Sequence, residues 1–312
     1  MQVIRGARSI EPPWDGSVVT LGTFDGVHQG HQALIRRAVD VARGEGVRAA
    51  AYTFDPHPAR TVAPQYAPKT LMPLDRRIDH MAELGIDAVV IENFDARFAQ
   101  IPADEWVERY LVDRLRPRLV VVGFNFTYGR ARGGNPEQLR RMGAHLGFRV
   151  EEVPPVRIGA VTASSSRVRA FLLEGNPKGA RDLLGRPYGL TGTVVKGDQR
   201  GRSIGFPTAN LQLEGELVPA HGVYATRVRW LSDPVRPLHP AITNVGSRPT
   251  FRGQSVTVET HLFDFDDDLY GQRIEVELVE YIRGERRFDG PDELGAQIRS
   301  DVAAARTLLG VD

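Results

Sequence analysis

The stretch Gly22-Thr23-Phe24-Asp25-Gly26-Val27-His28-Gln29-Gly30-His31 decides the fold of the first half of this chain. The apolar run Val18–Leu21 precedes it and predicts a buried strand, and the amphipathic run from Ala33 onward predicts a helix. Glycines let the backbone approach a ligand closely, and the amides at a helix N-terminus attract an anion. Two imidazoles at the same place can donate hydrogen bonds to phosphate oxygens. The stretch therefore predicts a phosphate site built for chemistry at phosphorus.

The chain uses no Walker A loop for this purpose, because it contains neither Gly-Lys-Ser nor Gly-Lys-Thr. Paired imidazoles instead suit a reaction at an α-phosphate, where positioned donors stabilise the charge that develops as pyrophosphate leaves. Two histidines near a helix start can also be incidental, but the length of the whole pattern favours a nucleotide-phosphate site.

Composition narrows the class of protein. A chain of 312 residues predicts two domains, and 41% hydrophobic and 25% charged residues are typical of a soluble globular protein. The absence of cysteine excludes disulfides and thiolate metal sites. A net charge of +1 argues against a nucleic-acid or membrane-surface binder. With no run of membrane-spanning length and no apolar secretory segment in the first 15 residues, we expect a cytoplasmic protein.

Strand and helix patterns alternate through the first half of the chain. Strands are predicted at Val18–Leu21, Val47–Phe54, Ala88–Ile91, Leu119–Val122 and Phe148–Val153. Helices are predicted at His31–Arg43, Leu74–Leu84, Ala103–Leu115 and Asn135–His145. Five strands separated by helices predict a parallel sheet covered on both faces, with ligands beyond the carboxyl ends of its strands.

The pattern changes at Gly185-Arg186-Pro187, so we predict domains at 1–184 and 185–312. Short alternating strands are predicted at Tyr188–Val195, Gly222–Trp230, Leu238–Asn244, Ser255–Leu262 and Arg273–Ile282. They predict a small antiparallel barrel, and a final helix over Pro291–Leu309 closes the chain.

Two further stretches carry polar groups to the expected edge of the sheet. Ser164-Ser165-Ser166-Arg167-Val168-Arg169 begins a helix; its hydroxyls can be ordinary caps, but arginines on a first turn oppose the helix dipole and favour a bound anion. The segment Phe124–Gly129 follows the fourth predicted strand and is either a simple turn or part of the same site.

These motifs resemble the prokaryotic bifunctional riboflavin kinase/FMN adenylyltransferases. The stretch 22–31 is similar to the family's first nucleotidyltransferase motif, and Ser164–Arg169 to its Ser-Ser-Thr-x-Ile-Arg motif, with serine for threonine and valine for isoleucine. Phe54-Asp55-Pro56-His57-Pro58 also looks like a family motif. The resemblance implies a Rossmann-like nucleotidyltransferase sheet that transfers AMP from ATP to FMN and forms FAD and pyrophosphate.

The second half resembles the same family independently. Gly197–Asn210, ending in Pro-Thr-Ala-Asn, is similar to the flavokinase signature, and Asn244–Phe251 is a further match. Glycines permit a loop to fold over phosphates, and the oxygens of Thr208 and Asn210 are hard ligands suited to Mg²⁺. A glycine-rich hairpin is the alternative. The resemblance implies a flavokinase-like barrel that phosphorylates riboflavin with ATP and Mg²⁺.

Glu259 lies on a predicted strand in which Thr257, Glu259 and His261 share one face. A solvated carboxylate is the ordinary interpretation of such a position. The resemblance implies that Glu259 instead takes the proton from the ribityl 5′-hydroxyl of riboflavin.

The resemblance also assigns the remaining site residues. It implies that His28 and His31 are catalytic and that ATP is contacted by Gly22, Phe24, Asp25, Gly30, Asn125, Ser164, Ser165, Ser166, Arg169, Gly197, Gly205 and Pro207. Flavin is then substrate and product, and the residues that contact its ring are not identified. The expected partners are small molecules only, and the sequence leaves the oligomeric state open, a homo-oligomer included.

Two alternative functions remain open at this stage. The chain could transfer nucleotides to another phosphate compound, or bind flavin without catalysis. Asp264, Asp266 and Asp268 imitate a calcium loop, but Leu269 stands where such a loop needs glycine, so we expect a hairpin turn there.

Overall fold

The computed structural model describes residues 1–197, 205–250 and 253–311. Two compact units are present. The first comprises Met1–Thr70 and Leu74–Ser164, and the second comprises Leu71–Pro73 and the chain from Ser165 onward. The sequence-based boundary between residues 184 and 185 divides the chain into two functional domains, and it stays a prediction.

The first unit is built on a six-stranded sheet in the order β1-β4-β3-β2-β5-β6, and every neighbouring pair is parallel. Its strands are β1 Gln2–Arg5, β2 Ser17–Leu21, β3 Arg48–Asp55, β4 Ala88–Asn93, β5 Pro117–Gly123 and β6 Arg149–Val153. All five residues of the central strand β2 are buried, as a sheet covered on both faces requires. The predicted parallel α/β fold is therefore confirmed.

Helices connect these strands. They are α1 Gln29–Glu45, α2 Pro58–Val62, α3 Leu74–Glu83, α4 Ala103–Trp106, α5 Asp113–Leu115 and α6 Pro136–Leu146. A π-helix over Val107–Val112 joins α4 to α5, so the helix predicted over 103–115 forms with a wider middle turn. A two-stranded ribbon, β7 Arg157–Ile158 and β8 Val161–Thr162, ends the unit.

The second unit contains a closed barrel in the order β10-β13-β12-β11-β14-β9, with β9 also pairing β10. Its strands are β9 Tyr188–Val195, β10 Ala209–Leu213, β11 Gly222–Trp230, β12 His239–Thr250, β13 Gly253–Leu262 and β14 Arg273–Arg283. Its helices are α7 Ser165–Leu173, α8 Pro177–Leu184 and α9 Pro291–Leu309. The predicted barrel and closing helix are confirmed.

Alternation along the barrel strands decides which side chains reach its outer surface. Thr226, Thr243 and Thr260 are fully buried, and the hydroxyl of Thr243 lies 2.9 Å from each of the other two. Neighbours of these threonines along β12 and β13, including Asn244 and Glu259, therefore point outward.

Three details differ from the sequence predictions. Strand β1 was not predicted, because only Ile4 of its four residues is buried and the apolar pattern is too short to detect. Strand β10 was not predicted either, since its start lies within the glycine-rich signature. The expected hairpin after β13 is wrong: β13 pairs with β10 and β12, whereas β14 pairs with β9 and β11.

Among the helices of the described residues, none is both long enough and apolar enough to span a membrane.

Candidate functional site

The first candidate site is the turn between β2 and α1. The Gly22 amide donates to the Tyr52 carbonyl at 3.1 Å, and the Val27 amide donates to the Phe24 carbonyl at 3.0 Å. Phe24 and Val27 adopt positive φ angles of 50° and 40°, which are unfavourable for a β-branched or aromatic residue. Such conformations persist only where the surroundings hold them, and Phe24 and Val27 are both almost completely buried.

The two histidines lie on the first turn of α1. His28 is the N-cap, and its Nδ1 accepts the backbone N–H of His31 at 3.4 Å, which leaves the ring proton on Nε2. The two imidazole rings are stacked with centroids 3.7 Å apart, and the Phe24 ring meets His31 edge-on at 5.3 Å. Packing thus fixes both rings at the N-terminus of α1.

Buried charges surround this turn. Arg77 on α3 is 3% exposed and donates from Nη1 to the Thr23 carbonyl at 3.0 Å, and Asp25 is 1% exposed. Burial lowers the pKa of Arg77, whereas Asp25 and Asp55 raise it. Burial of the ring is the main reason that the pKa of His31 is well below its ordinary value, and electrostatic interactions with His28 and Arg77 lower it further. His31 is therefore a neutral imidazole at physiological pH before an anion arrives.

Gly30 is required by close packing. A Cβ at this position would lie 3.0 Å from Cε1 of His28 and 3.4 Å from the Ala163 carbonyl oxygen. Any side chain there would push His28 out of its stack. The contact also brings Ala163, and with it the start of the serine motif, next to the first turn of α1.

Other predicted residues of the first unit lie at the carboxyl ends of neighbouring strands. Asn125 follows β5 in a turn closed by the Phe126 amide and the Gly123 carbonyl at 3.0 Å. His57 follows β3 and caps α2, with its Nδ1 accepting the Ala59 amide at 3.2 Å. Since β2, β3 and β5 are adjacent parallel strands, these turns share one edge of the sheet with His28 and His31.

An aromatic cluster stands at the same edge, after β3 and β4. Phe54 packs edge-on against Phe94 at 5.4 Å, Phe98 lies 5.4 Å from Phe94, and Tyr110 meets Phe98 at 5.3 Å. These four rings, all half-buried, form an apolar surface that still reaches solvent.

The serine motif spans the division between the two units. Ser164 belongs to the first unit, and Ser165, Ser166 and Arg169 lie on the first turns of α7 in the second. Helix α7 is anchored by Val168, which is fully buried.

The second candidate site is a polar row on the barrel surface. Strand register places Glu259 directly opposite Asn210 on one side and Asn244 on the other. All three are half-buried and lie on the outer face. Thr208 immediately precedes β10 and is half-buried, two residues before Asn210.

Two glycines of the predicted ATP loop flank this row. Gly197 packs against Asn210, since a Cβ there would overlap the Asn210 side-chain amide. Gly205 adopts φ +88°, a conformation that favours glycine. The Pro207 carbonyl lies 2.8 Å from Nδ1 of His261. The remainder of this signature, residues 198–204, lies outside the described residues.

Sequence reasoning missed one polar residue of these sites, Arg77, and assigned no role to another, Asn244. Arg77 and Met81 are one helical turn apart and both lie on the buried side of α3. A charged residue on the apolar side of an amphipathic helix is unusual, and this was the signal that could have identified Arg77. Asn244 begins the second flavokinase match, but its place beside Glu259 follows only from the pairing of β12 with β13.

Family models match both halves of the chain: FAD synthetase over residues 10–167 and riboflavin kinase over residues 184–309. The bifunctional riboflavin kinase/FMN adenylyltransferase of Escherichia coli K12 is 39% identical over 312 residues, covering 100% of this chain and 99% of that protein. The protein of the same description from Haemophilus influenzae is 36% identical over 309 residues, covering 99% of each chain.

A solved structure is also similar along the whole chain. It is described as a macrolide-efflux protein from Streptococcus pneumoniae and is 34% identical, with a TM-score of 0.88 over 98% of this chain and 99% of that one. The full-length identity to the curated relatives and the matches to both family models point to the same family. This chain therefore belongs to the bifunctional riboflavin kinase/FMN adenylyltransferase family.

Proposed function

We propose that this chain makes FAD in two steps. The second unit transfers a phosphoryl group from ATP to riboflavin and gives FMN. The first unit then transfers AMP from a second ATP to the FMN phosphate and releases pyrophosphate. The observation that carries the proposal is the presence, in one chain, of a histidine-bearing helix N-terminus and a separate barrel row centred on Glu259.

In the adenylyl-transfer step, a phosphate oxygen of FMN attacks the α-phosphorus of ATP, and the bond from that phosphorus to the pyrophosphate oxygen breaks. The helix N-terminus attracts the triphosphate, and His28 donates from Nε2, the nitrogen that carries its proton. His31 is neutral in the free site, and the phosphate charge favours its protonation as ATP binds. Both imidazoles then stabilise the charge on departing pyrophosphate.

The remaining residues of the first site hold the substrates. Asn125, Ser164, Ser165, Ser166 and Arg169 are proposed to donate hydrogen bonds to ATP, as the family motifs imply. Gly22 and Gly30 keep the turn narrow, and Phe24 and Asp25 fix its conformation from inside.

The aromatic cluster of Phe54, Phe94, Phe98 and Tyr110 is our candidate for the surface that receives the flavin ring. A large planar heterocycle needs an apolar surface, and this one lies at the same sheet edge as the histidines.

In the kinase step, the 5′-oxygen of riboflavin forms a bond to the γ-phosphorus, and the bond to ADP breaks. Glu259 accepts the hydroxyl proton. Its two neighbours in the row, Asn210 and Asn244, are neutral, so they do not replace it as a base. Positioning of the substrates and charge stabilisation account for most of the rate enhancement of phosphoryl transfer, and the base accounts for the rest.

The donors around Glu259 fit Mg²⁺. Thr208 and Asn210 offer neutral oxygens, and among the described residues no three His, Asp or Glu side chains converge on one point. A site of few protein oxygens completed by substrate phosphates is what Mg²⁺ uses, and the ion would neutralise charge on the ATP phosphates. Gly197, Gly205 and Pro207 are proposed to line the ATP phosphates beside it.

We place the reactions in the cytoplasm, with small molecules as the only partners of catalysis. Incubation with riboflavin, ATP and Mg²⁺, followed by chromatographic separation of flavins, tests the proposal. FMN should form first and FAD later, and FMN supplied directly should give FAD. Formation of neither product would contradict the proposed function.

A further inference from the structure

Glu285 adds a further side chain to the polar row on the barrel surface. It lies in the segment between β14 and α9, and both ends of this segment are tied to α9. At one end, Arg283 donates from Nη2 to Oδ2 of Asp301 at 2.7 Å. At the other end, the Asp289 amide donates to Oε2 of Glu293 at 2.9 Å. These bonds hold the segment, and Glu285 with it, in a defined place against the barrel.

The carboxylate of Glu285 lies over Gly246 of β12. A Cβ at Gly246 would lie 2.5 Å from Oε1 of Glu285 and 3.4 Å from Nδ2 of Asn244. Strand alternation turns Gly246 to the outer face, as it turns Asn244, yet Gly246 is buried. The Glu285 carboxylate and the Asn244 amide therefore converge on the same point of the outer surface.

The two oxygens of Glu285 have different surroundings. Oε2 lies 3.3 Å from Nδ1 of His221, which immediately precedes β11 and whose carbonyl accepts the Tyr281 hydroxyl at 3.3 Å. Oε1 is the oxygen directed at the position above Gly246. The Glu285 side chain is 45% exposed, so a ligand on the outer surface can reach it.

The two ends of the row differ in character. At the β10 end, Gly197 packs against Asn210, beside the place proposed for the ATP phosphates. Glu285 stands at the β12 end, on the other side of Glu259. A carboxylate repels phosphate, but it accepts hydrogen bonds from hydroxyl groups. The phosphoryl acceptor, and not ATP, is therefore the substrate that extends toward Glu285.

We propose that Glu285 is a specificity-determining residue of the kinase site and that its carboxylate accepts a hydrogen bond from a secondary hydroxyl of the ribityl chain. This inference rests on the proposed kinase function. Two residues of β12, about 7 Å, separate Gly246 from Asn244, the neighbour of Glu259. A five-carbon chain with its 5′-hydroxyl at Glu259 spans a comparable distance and brings its 2′-, 3′- or 4′-hydroxyl to Glu285. The site thereby distinguishes a polyol chain from an alkyl chain.

Kinetics with 2′-, 3′- and 4′-deoxyriboflavin test the proposal, since all three keep the 5′-hydroxyl that is phosphorylated. In the wild type, kcat/KM for at least one analogue should lie about tenfold or more below that for riboflavin, as expected for a lost hydrogen bond to a charged group. In Glu285→Ala, kcat/KM for riboflavin should fall by a similar factor. The value for the same analogue should stay unchanged, because that analogue never made the bond.

Glu280→Ala is the matched control, because it also removes a carboxylate from an ion pair of the second unit, with Lys178 at 2.5 Å. It should keep the wild-type preference for riboflavin over every analogue. Wild-type turnover of the analogue by Glu285→Ala also shows that this variant is folded, which separates lost recognition from lost structure.

Three results would overturn the assignment of Glu285 to the ribityl chain. One is an equal loss for riboflavin and all three analogues in Glu285→Ala, and another is no loss for riboflavin. The third is a loss that higher Mg²⁺ restores, which would assign Glu285 to the metal. A wild-type protein that forms no FMN from riboflavin would instead contradict the proposed function, and this inference with it.

Discussion

In the first unit the predicted catalytic side chains are held inside a packed turn, whereas in the second unit they stand in a row on the outside of a barrel. His28 and His31 are stacked on each other and bounded by Phe24, Gly30 and Arg77. Strand register places Glu259 between Asn210 and Asn244.

This difference predicts how the activity of each site responds to substitution. In the packed turn, an added atom displaces a catalytic ring, and burial shifts the pKa of His31. On the barrel surface, Glu259 is half-buried, and the identity of its carboxylate dominates. The first site should therefore be sensitive to volume, and the second to chemistry.

The largest effect on the kinase step is expected from Glu259→Gln, which keeps the shape of the side chain and removes the base. FMN formation from riboflavin should fall about 10²–10⁴-fold, the usual contribution of a general base. FAD formation from supplied FMN should remain unchanged. Rates of the two steps, measured separately by chromatography, check this. Undiminished kinase turnover would remove Glu259 from the mechanism.

A volume test of the first site compares two glycines of the same helix. Gly30→Ala places a methyl group 3.0 Å from Cε1 of His28, so adenylyl transfer should fall about 10–100-fold because a catalytic group is misplaced. Gly44→Ala meets nothing within 4 Å, and it should keep full activity and gain about 1 kcal/mol of helix stability. Equal activities of the two variants would show that His28 needs no such packing.

The sequence was sufficient for the motifs and most elements because their signals are local. Glycines, histidines and apolar runs around β2 and α1 predicted a phosphate site at a sheet edge, and the edge is where the turn lies. The register between the barrel strands could not be predicted, because strand pairing depends on residues far apart in the chain. The residues near Asn210 and Asn244 therefore do not show that both lie beside Glu259. The ring stack and the buried Arg77 likewise arise from tertiary packing.

An effect that leaves both activities in place concerns the stability of the second unit. Glu216 is 3% exposed, its Oε1 accepts the Thr191 amide at 2.5 Å, and burial raises its pKa to about 7. The folded chain thus holds a proton that the unfolded chain, with a Glu pKa of 4.5, has released. This contribution to stability is present at low pH and is lost as pH rises through 7.

Glu216→Gln imitates the protonated form at every pH. Its free energy of unfolding in urea should match the wild type at pH 5 and exceed it by about 2–3 kcal/mol at pH 8. Glu152→Gln, which removes a carboxylate paired with Arg140 at the surface of the first unit, is the control and should show no comparable gain at pH 8. A wild-type stability that does not decline from pH 5 to pH 8 relative to Glu216→Gln would contradict the buried, protonated carboxyl.

The central claim is that one chain holds two separate phosphate chemistries, and product analysis of His31→Ala tests it most directly. With riboflavin, ATP and Mg²⁺, this variant should accumulate FMN at the wild-type rate and form no FAD. His145→Ala, an exposed histidine on α6, should form both products. Loss of FMN together with FAD, or FAD formation at the wild-type rate in His31→Ala, would contradict the claim.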